Sequence, residues 1–273
     1  MVRVRHRNGD IDMSDHQTGL AQRHLAVSGL AREAGALALR YFHDRASLGT
    51  TMKGAQDFLT VADGAVETLL RRRIAEAFPG DAVLGEEGGG AAAERLWIVD
   101  PIDGTANFAR GEPHWCISIG YMQAGVPEIG AIFMPVTGEF YLARRGHGAT
   151  RDGAPIRAAA TNDMKVATVE IGWSTRRPLD DYTTLVRRTM EAGANAKRAA
   201  SGALGIAYAA DGRTDAYVES HINSWDVAAG LVIAAEAGAW TNDFFAGDAL
   251  TRGNPVLVCA PGIAGAMRAI CGV

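Results

Sequence analysis

The chain has 273 residues, 48% of them hydrophobic and 21% charged, with a formal net charge of -4 at pH 7. That length supports one large domain or two closely joined ones around a substantial core. The mild negative charge argues against a nucleic-acid surface, and no apolar run reaches the roughly 18 residues that a membrane span needs.

Cys116, Cys259 and Cys271 are scattered, and the histidines form no His-x-x-x-His pair. This usage argues against zinc and fits buried or idle thiols in a reducing cytoplasm. Val2 to Arg7 is basic but lacks the apolar core of a secretory signal. Met13 offers a second start, so residues 1–13 are read as a disordered extension.

Leu20, Val27, Leu30, Ala34, Leu37 and Tyr41 recur at helical spacing and predict a long amphipathic helix ending near Phe42. Gly49 to Gln56 reads as a polar loop carrying Lys53. A second helix follows Asp63, with Val66, Leu69, Leu70, Ile74 and Phe78 on one face, and Pro79-Gly80 stops it. Ala82 to Leu84 is a short strand candidate, Gly85-Glu86-Glu87 follows it, and the Gly-Ala stretch from Gly88 to Ala93 reads as a mobile loop.

Leu96 to Val99 reads as a buried strand that ends at Asp100-Pro101, because proline has no N–H for a sheet ladder. Strand candidates at Cys116–Met122, Ile129–Met134 and Glu139–Arg144 follow, with turns at Gly125 and Thr137-Gly138. The turn-rich stretch from Gly146 to Ile156 marks the expected seam between an N-terminal half (14–148) and a C-terminal half (149–273). Beyond it, strands at Val166–Trp173, Ala216–Glu219 and Val256–Ala260 alternate with helices at Tyr182–Met190, Gly202–Ala210, Asp226–Ala237 and Ile263–Ile270. The pattern suggests an α/β half behind an α+β half.

The chemistry concentrates in Asp100-Pro-Ile-Asp103-Gly104-Thr105. A strand end that delivers two carboxylates into a turn suits a hard divalent cation, which wants oxygen ligands. Gly104 and Thr105 at a helix start offer backbone N–H groups to an anion such as phosphate. Metal and phosphate side by side describe metal-assisted phosphoryl chemistry.

Three other acidic clusters have equally plain alternatives. Thr60-x-x-Asp63 has the form of a capping box, Glu86-Glu87 that of a solvated corner, and Asp226 that of a helix N-cap. The helix after Asp226 is nearly all apolar, so a carboxylate at its mouth faces inward and needs a partner.

Taken together, Asp57-x-x-Thr60-x-x-Asp63, Gly85-Glu86-Glu87, the Asp100–Phe108 block and Trp225-Asp226-Val227-Ala228-Ala229-Gly230 resemble the pattern of the inositol monophosphatase family, magnesium-dependent and lithium-sensitive sugar-phosphate phosphatases. The resemblance runs from about residue 20 to the C-terminus. It implies a layered α/β/α/β/α fold, a phosphoric monoester hydrolase with two to three Mg²⁺ per site, and a homodimer; the cysteine usage, charge and hydropathy above add the expectation of a cytoplasmic protein with no nucleic-acid or membrane partner.

Carried onto this sequence, the resemblance implies that Glu86, Asp100 and the Ile102 carbonyl hold one Mg²⁺. Asp100, Asp103 and Asp226 hold a second, and Glu86 with waters holds a weaker third. It implies that Thr105 and Asp63 take the proton from the attacking water, and that Gly104 and Thr105 bind phosphate. Glu219 would bind substrate hydroxyls, or an ammonium group as in histidinol phosphate. Ser201 and Gly202 would line that pocket, and Lys53 would either screen phosphate or remain a solvated loop lysine. Ala200 departs from the family's usual residues beside that segment. His114-Trp115 reads as packing, and Ser220–Ser224 as either substrate contact or simple loop. Inositol 1-phosphate is the simplest substrate. Histidinol phosphate is the rival, ahead of fructose 1,6-bisphosphate and 3′-phosphoadenosine 5′-phosphate, and a non-catalytic metal- and phosphate-binding homologue is the reading of another class.

Overall fold

The computed structural model describes residues 10–44, 50–54 and 57–272. In chain order the elements are α1 (Asp10–His43), β1 (Thr50–Gly54), β2 (Asp57–Thr60), α2 (Val61–Ala77), β3 (Ala82–Gly85), β4 (Arg95–Asp103), α3 (Thr105–Arg110), β5 (Cys116–Gln123), β6 (Val126–Phe133), β7 (Phe140–Arg144), β8 (Ala149–Arg151) and β9 (Ala154–Pro155). They continue as β10 (Thr168–Ile171), α4 (Leu179–Glu191), β11 (Asn195–Lys197), α5 (Gly202–Ala210), β12 (Ala216–Ile222), α6 (Ser224–Glu236), β13 (Trp240–Thr241), α7 (Ala249–Arg252), β14 (Asn254–Cys259) and α8 (Ala264–Cys271).

Strands β3 to β9 form a seven-stranded sheet in sequence order, and β11-β10-β12-β14-β13 form a five-stranded one. Hydrophobic clusters fill the spaces between the layers. Helices α1 and α2 bury Val27, Ala34, Val66 and Leu70 against Trp97, Val99 and Ile119 of the first sheet. Helices α5 and α6 fill the space between the sheets, with Leu204, Ile206, Val227 and Ile233 meeting Ile132, Tyr141, Tyr217 and Val258. Leu185 of α4 and Met267 of α8 cover the outer face of the second sheet with Val169, Val218 and Leu257. The result is the layered α/β/α/β/α sugar-phosphatase fold that the resemblance implied.

Helix α6 lies unusually close to the first sheet. A Cβ on Gly130 would meet the Ala229 carbonyl oxygen at 2.1 Å, and one on Gly120 would meet Ala228 Cβ at 2.8 Å. Two glycines in β5 and β6, facing alanines in α6, let backbone approach backbone. This contact carries the N-terminal end of α6, a C-terminal-half element, to the end of β4.

Several expectations change. The stretch read as a polar loop up to Gln56 contains strand β1, which pairs with β2 just beyond it in antiparallel register from Thr50↔Thr60 to Gly54↔Asp57. Gly49 and Gln56 lie outside the described residues. Helix α1 already includes Asp10, inside the stretch expected to be an extension; residues 1–9 lie outside the described residues. The turn-rich stretch 146–156 holds β8 and β9, which complete the first sheet, so the change of sheet falls after Pro155. The short elements β11, β13 and α7 have too few residues for a period to show.

Strand β4 does not stop at Pro101. It pairs with β5 through Asp100↔Ser118 and again through Asp103↔Cys116, with a bulge between. Proline is tolerated at a bulge, where the ladder is already broken.

Candidate active site

The bulge decides which way the central carboxylates face. In a regular strand, residues three apart point to opposite faces. On β4, Trp97 and Val99 face α1 and α2, whereas Leu96 and Ile98 face Ala228 of α6. Asp100 follows the even positions toward α6. The extra residue in the bulge then turns Ile102 back to the first core and puts Asp103 on the same side as Asp100. One carboxylate oxygen each from Asp100, Asp103 and Asp226 lies within 4.8 Å of the others.

Each carboxylate is held by backbone. Asp100 Oδ1 accepts from the Ile102 N–H at 2.9 Å. Asp226 Oδ2 accepts from the Asn223 N–H at 3.0 Å. Asp226 is therefore not the N-cap of α6, as its position suggested; Asn223 is the cap and Asp226 completes a capping box from the third helical position. Asp103 accepts from the Ala203 N–H at 2.8 Å, from the Gly202 N–H at 3.3 Å and from the Ser201 hydroxyl. The first turn of α5 thus donates to a carboxylate on β4, far away in sequence.

Burial drives all three acids toward their neutral forms. Asp100 is pushed well above the ordinary carboxylate range by burial and by the charges of Glu86, Asp103 and Asp226. Burial also raises Asp103, although the Ser201 hydroxyl and the amides of α5 oppose it. Asp226 is raised to about 7 by burial and by the charge of Asp103. Clustered buried acids that repel each other are relieved by a cation, and an all-oxygen set suits Mg²⁺. The residues present therefore fit a divalent metal.

Around these acids is a cavity of about 230 Å³, lined by Glu86, Asp103, Gly104, Thr105, Ser201, Gly202, Glu219 and Asp226 among others. Eight of the residues singled out in the sequence thus meet at one opening. Asp63, 1% exposed, stands behind it, and its Oδ1 lies 3.3 Å from the Thr105 hydroxyl. That hydroxyl also donates to the Ile102 carbonyl at 2.9 Å. Gly104, at φ 96°, is the N-cap of α3 in the left-handed region, where a Cβ would meet the His114 carbonyl at 2.9 Å. Gly104, Thr105 and Ala106, at the start of α3, line the cavity, and the leading N–H groups of a helix have no partner within it.

Other expectations are redistributed. Ser201 lines the cavity, but its hydroxyl is spent on Asp103. Lys53 belongs to β1, and its side chain lies outside the described residues, as do those of Asp57 and Thr60. Trp115 is fully buried against Phe42 and Phe108, a packing residue as read. His221 accepts from or donates to nothing in the cavity; its Nε2 is 2.9 Å from the Arg252 carbonyl.

Sequence reasoning missed the far end of the cavity, which is lined by Glu170, Trp173, Arg198 and Tyr217. The Tyr217 hydroxyl donates to Glu219 Oε2 at 2.6 Å, and Lys197 Nζ is 3.0 Å from Glu170 Oε2. Glu219 is raised to about 8, chiefly by burial, with the Tyr217 hydroxyl opposing. The alternation in β12, which points Tyr217 and Glu219 to one face, was the available signal.

Ala200 has φ 62°, a backbone normally left to glycine. Asn107 Nδ2 pins the segment by donating to the Ala199 carbonyl at 2.9 Å and the His114 carbonyl at 2.7 Å.

The profile of the inositol monophosphatase family matches residues 21–269. Nus factor SuhB of Xylella fastidiosa (strain Temecula1) is 36% identical over 222 residues, covering 80% of this chain and 81% of the relative. The extragenic suppressor protein suhB of Bartonella henselae superposes with a TM-score of 0.84 at 27% identity, over 90% of this chain and 96% of that one. The Thermotoga maritima IMPase superposes with a TM-score of 0.81 at 29% identity, over 91% and 96%. Similarity along nearly the whole length, in sequence and in fold, makes this chain a member of the inositol monophosphatase family.

Proposed function

We propose that this protein is a Mg²⁺-dependent phosphomonoesterase acting on a small polyol phosphate, most simply inositol 1-phosphate. The observation that supports it best is the convergence of Asp100, Asp103 and Asp226 beside Glu86 and the first turn of α3, at one cavity. Asp100, Asp103 and Asp226, with Glu86 and the Ile102 carbonyl, would hold the metal ions. Bound Mg²⁺ supplies a polarised phosphoryl group and a more acidic water.

The chain's own groups do the rest. The N–H groups of Gly104 and Thr105 bind phosphate oxygens and favour the extra negative charge of the transition state. Thr105 takes a proton from the attacking water as its own hydroxyl proton passes to Asp63, 3.3 Å away. Asp63, buried on α2, keeps that proton out of bulk water. Glu219, fixed by Tyr217, accepts from hydroxyls of the leaving group and orients it. In this scheme the nucleophile is water, and no covalent phosphoenzyme forms.

The name Nus factor carried by relatives makes a binding role the competing reading. Retention of every acid that the hydrolytic scheme needs favours catalysis. Phosphate release from a panel of inositol 1-phosphate, histidinol phosphate, fructose 1,6-bisphosphate and 3′-phosphoadenosine 5′-phosphate, with Mg²⁺ and then with EDTA, tests the proposal. Release that needs Mg²⁺ and favours the inositol ester supports it. A preference for histidinol phosphate moves the substrate, and no release from any ester overturns it.

A further inference from the structure

The glycine-rich segment after β3 is not the free loop that its composition suggested. The Gly85 N–H donates to the Gly89 carbonyl at 3.0 Å, closing the turn that carries Glu86. Beneath it lies Glu67 of α2, only 2% exposed. Its carboxylate accepts from the Glu87 N–H and the Gly88 N–H, both at 2.8 Å. Arg71 Nε donates to the same carboxylate at 2.7 Å, and the guanidinium goes on to the Val83 carbonyl at 3.1 Å and the Gly89 carbonyl at 2.5 Å.

The glycines make room for this clamp. A Cβ on Gly85 would meet the Glu67 carboxylate at 2.5 Å, one on Gly88 would meet it at 2.7 Å, and one on Gly90 would meet the Val83 carbonyl at 2.4 Å. Gly-Glu-Glu-Gly-Gly-Gly is thus a sequence for close approach to a buried ion pair.

Asp63, Glu67 and Arg71 are spaced i, i+4, i+8 and share one face of α2. The first holds Thr105, and the other two hold the turn bearing Glu86. We infer that Glu67, braced by Arg71, is a positioning residue. It fixes Glu86 toward the metal-binding acids and keeps it in register with the proton acceptor Asp63 on the same helix. Glu67 touches neither substrate nor metal; it acts through the backbone of Glu87 and Gly88. The inference rests on the metal-dependent reading of the cavity.

Glu67→Gln keeps the shape of the side chain but cannot satisfy two N–H groups and a guanidinium together. Titration calorimetry of Mg²⁺ into the metal-free protein should show affinity weakened about 10- to 100-fold, the range for partners that orient a metal ligand, with kcat at saturating Mg²⁺ changed no more than about threefold. Amide exchange at Glu87 and Gly88 should accelerate in the metal-free variant, while the amides of β5 and β6 keep their protection. Arg73→Ala, which removes the exposed pair with Glu33 on the same helix, should alter neither reading.

A folded Glu67→Gln protein with the parent's Mg²⁺ affinity overturns the inference. Should that variant not fold, Gly88→Ala must weaken Mg²⁺ in the same way, and unchanged affinity there overturns it equally. A parent that binds no Mg²⁺ sinks the metal-dependent reading. Exchange at Glu87 and Gly88 then still reports whether Glu67 holds the turn.

Discussion

The two ends of the cavity are built differently. At the acidic end, Asp100, Asp103 and Asp226 are each fixed by backbone N–H groups, of β4, of α5 and of the N-cap of α6. At the far end, Glu219 is held by one phenol, and the walls are the long side chains of Trp173 and Arg198. Like charges that must wait for a cation need a rigid frame, because any relaxation would spread them apart or bury them elsewhere. A leaving-group pocket made of side chains can be altered without touching the fold. The contrast places the reaction in the frame and the choice of substrate in the lining.

The largest expected effect breaks the acidic end. Asp103→Asn should lower kcat by at least roughly 10³-fold, equal to ~4 kcal/mol of lost transition-state stabilisation. Circular dichroism should stay native, since an amide can still accept from the start of α5. Turnover near the parent's rate would remove Asp103 from the metal set.

The far end should respond less. Glu219→Gln should reduce kcat/KM for a polyol ester by about tenfold, the worth of a buried hydrogen bond of ~1.5 kcal/mol, mostly through KM. The same change should leave Mg²⁺ affinity unaltered. Loss of Mg²⁺ binding would show that the two ends are not independent.

The contrast also predicts a pH dependence. Without metal, Asp226 has a pKa of about 7 in the fold against 3.8 ordinarily. A group raised in this way contributes stability that is complete below the unfolded value and is lost as pH rises through the folded one. Glu219, raised to about 8, acts in the same direction. Metal-free protein should therefore melt lower at about pH 8 than at about pH 5, and Mg²⁺ should raise Tm more at the higher pH. Equal Mg²⁺ stabilisation at both would contradict a cation that relieves these acids.

The smallest effect concerns Ala200, which also lines the cavity. Ala200→Gly relieves the Cβ strain at φ 62° but frees the unfolded chain, so stability should change by less than about 1 kcal/mol. Activity should be retained, and thermal melts alongside phosphate release check both.

The sequence alone determined the long helix α1, the apolar periodicity of α2, strands β3 to β7 of the first sheet and the order of the acidic clusters. These depend on local period and turn chemistry, which neighbouring residues set among themselves. It suggested the acids without showing how Asp100 and Asp103 come to share a face. That depends on a bulge, and a one-residue shift of register inverts every side chain after it. It offered Glu86 at a corner that looked solvated, because the clamp from Glu67 and Arg71 joins residues about twenty positions apart.

Tyr217, Trp173 and Arg198 stayed hidden for the same reason: nothing in their own neighbourhoods marks them as facing a cavity. Only the tertiary structure decided that α6 would press its alanines onto Gly120 and Gly130, and so carry Asp226 from the second half to the acids of the first. Short-range spacing fixes which residues can share a face. Packing between distant elements fixes which faces meet.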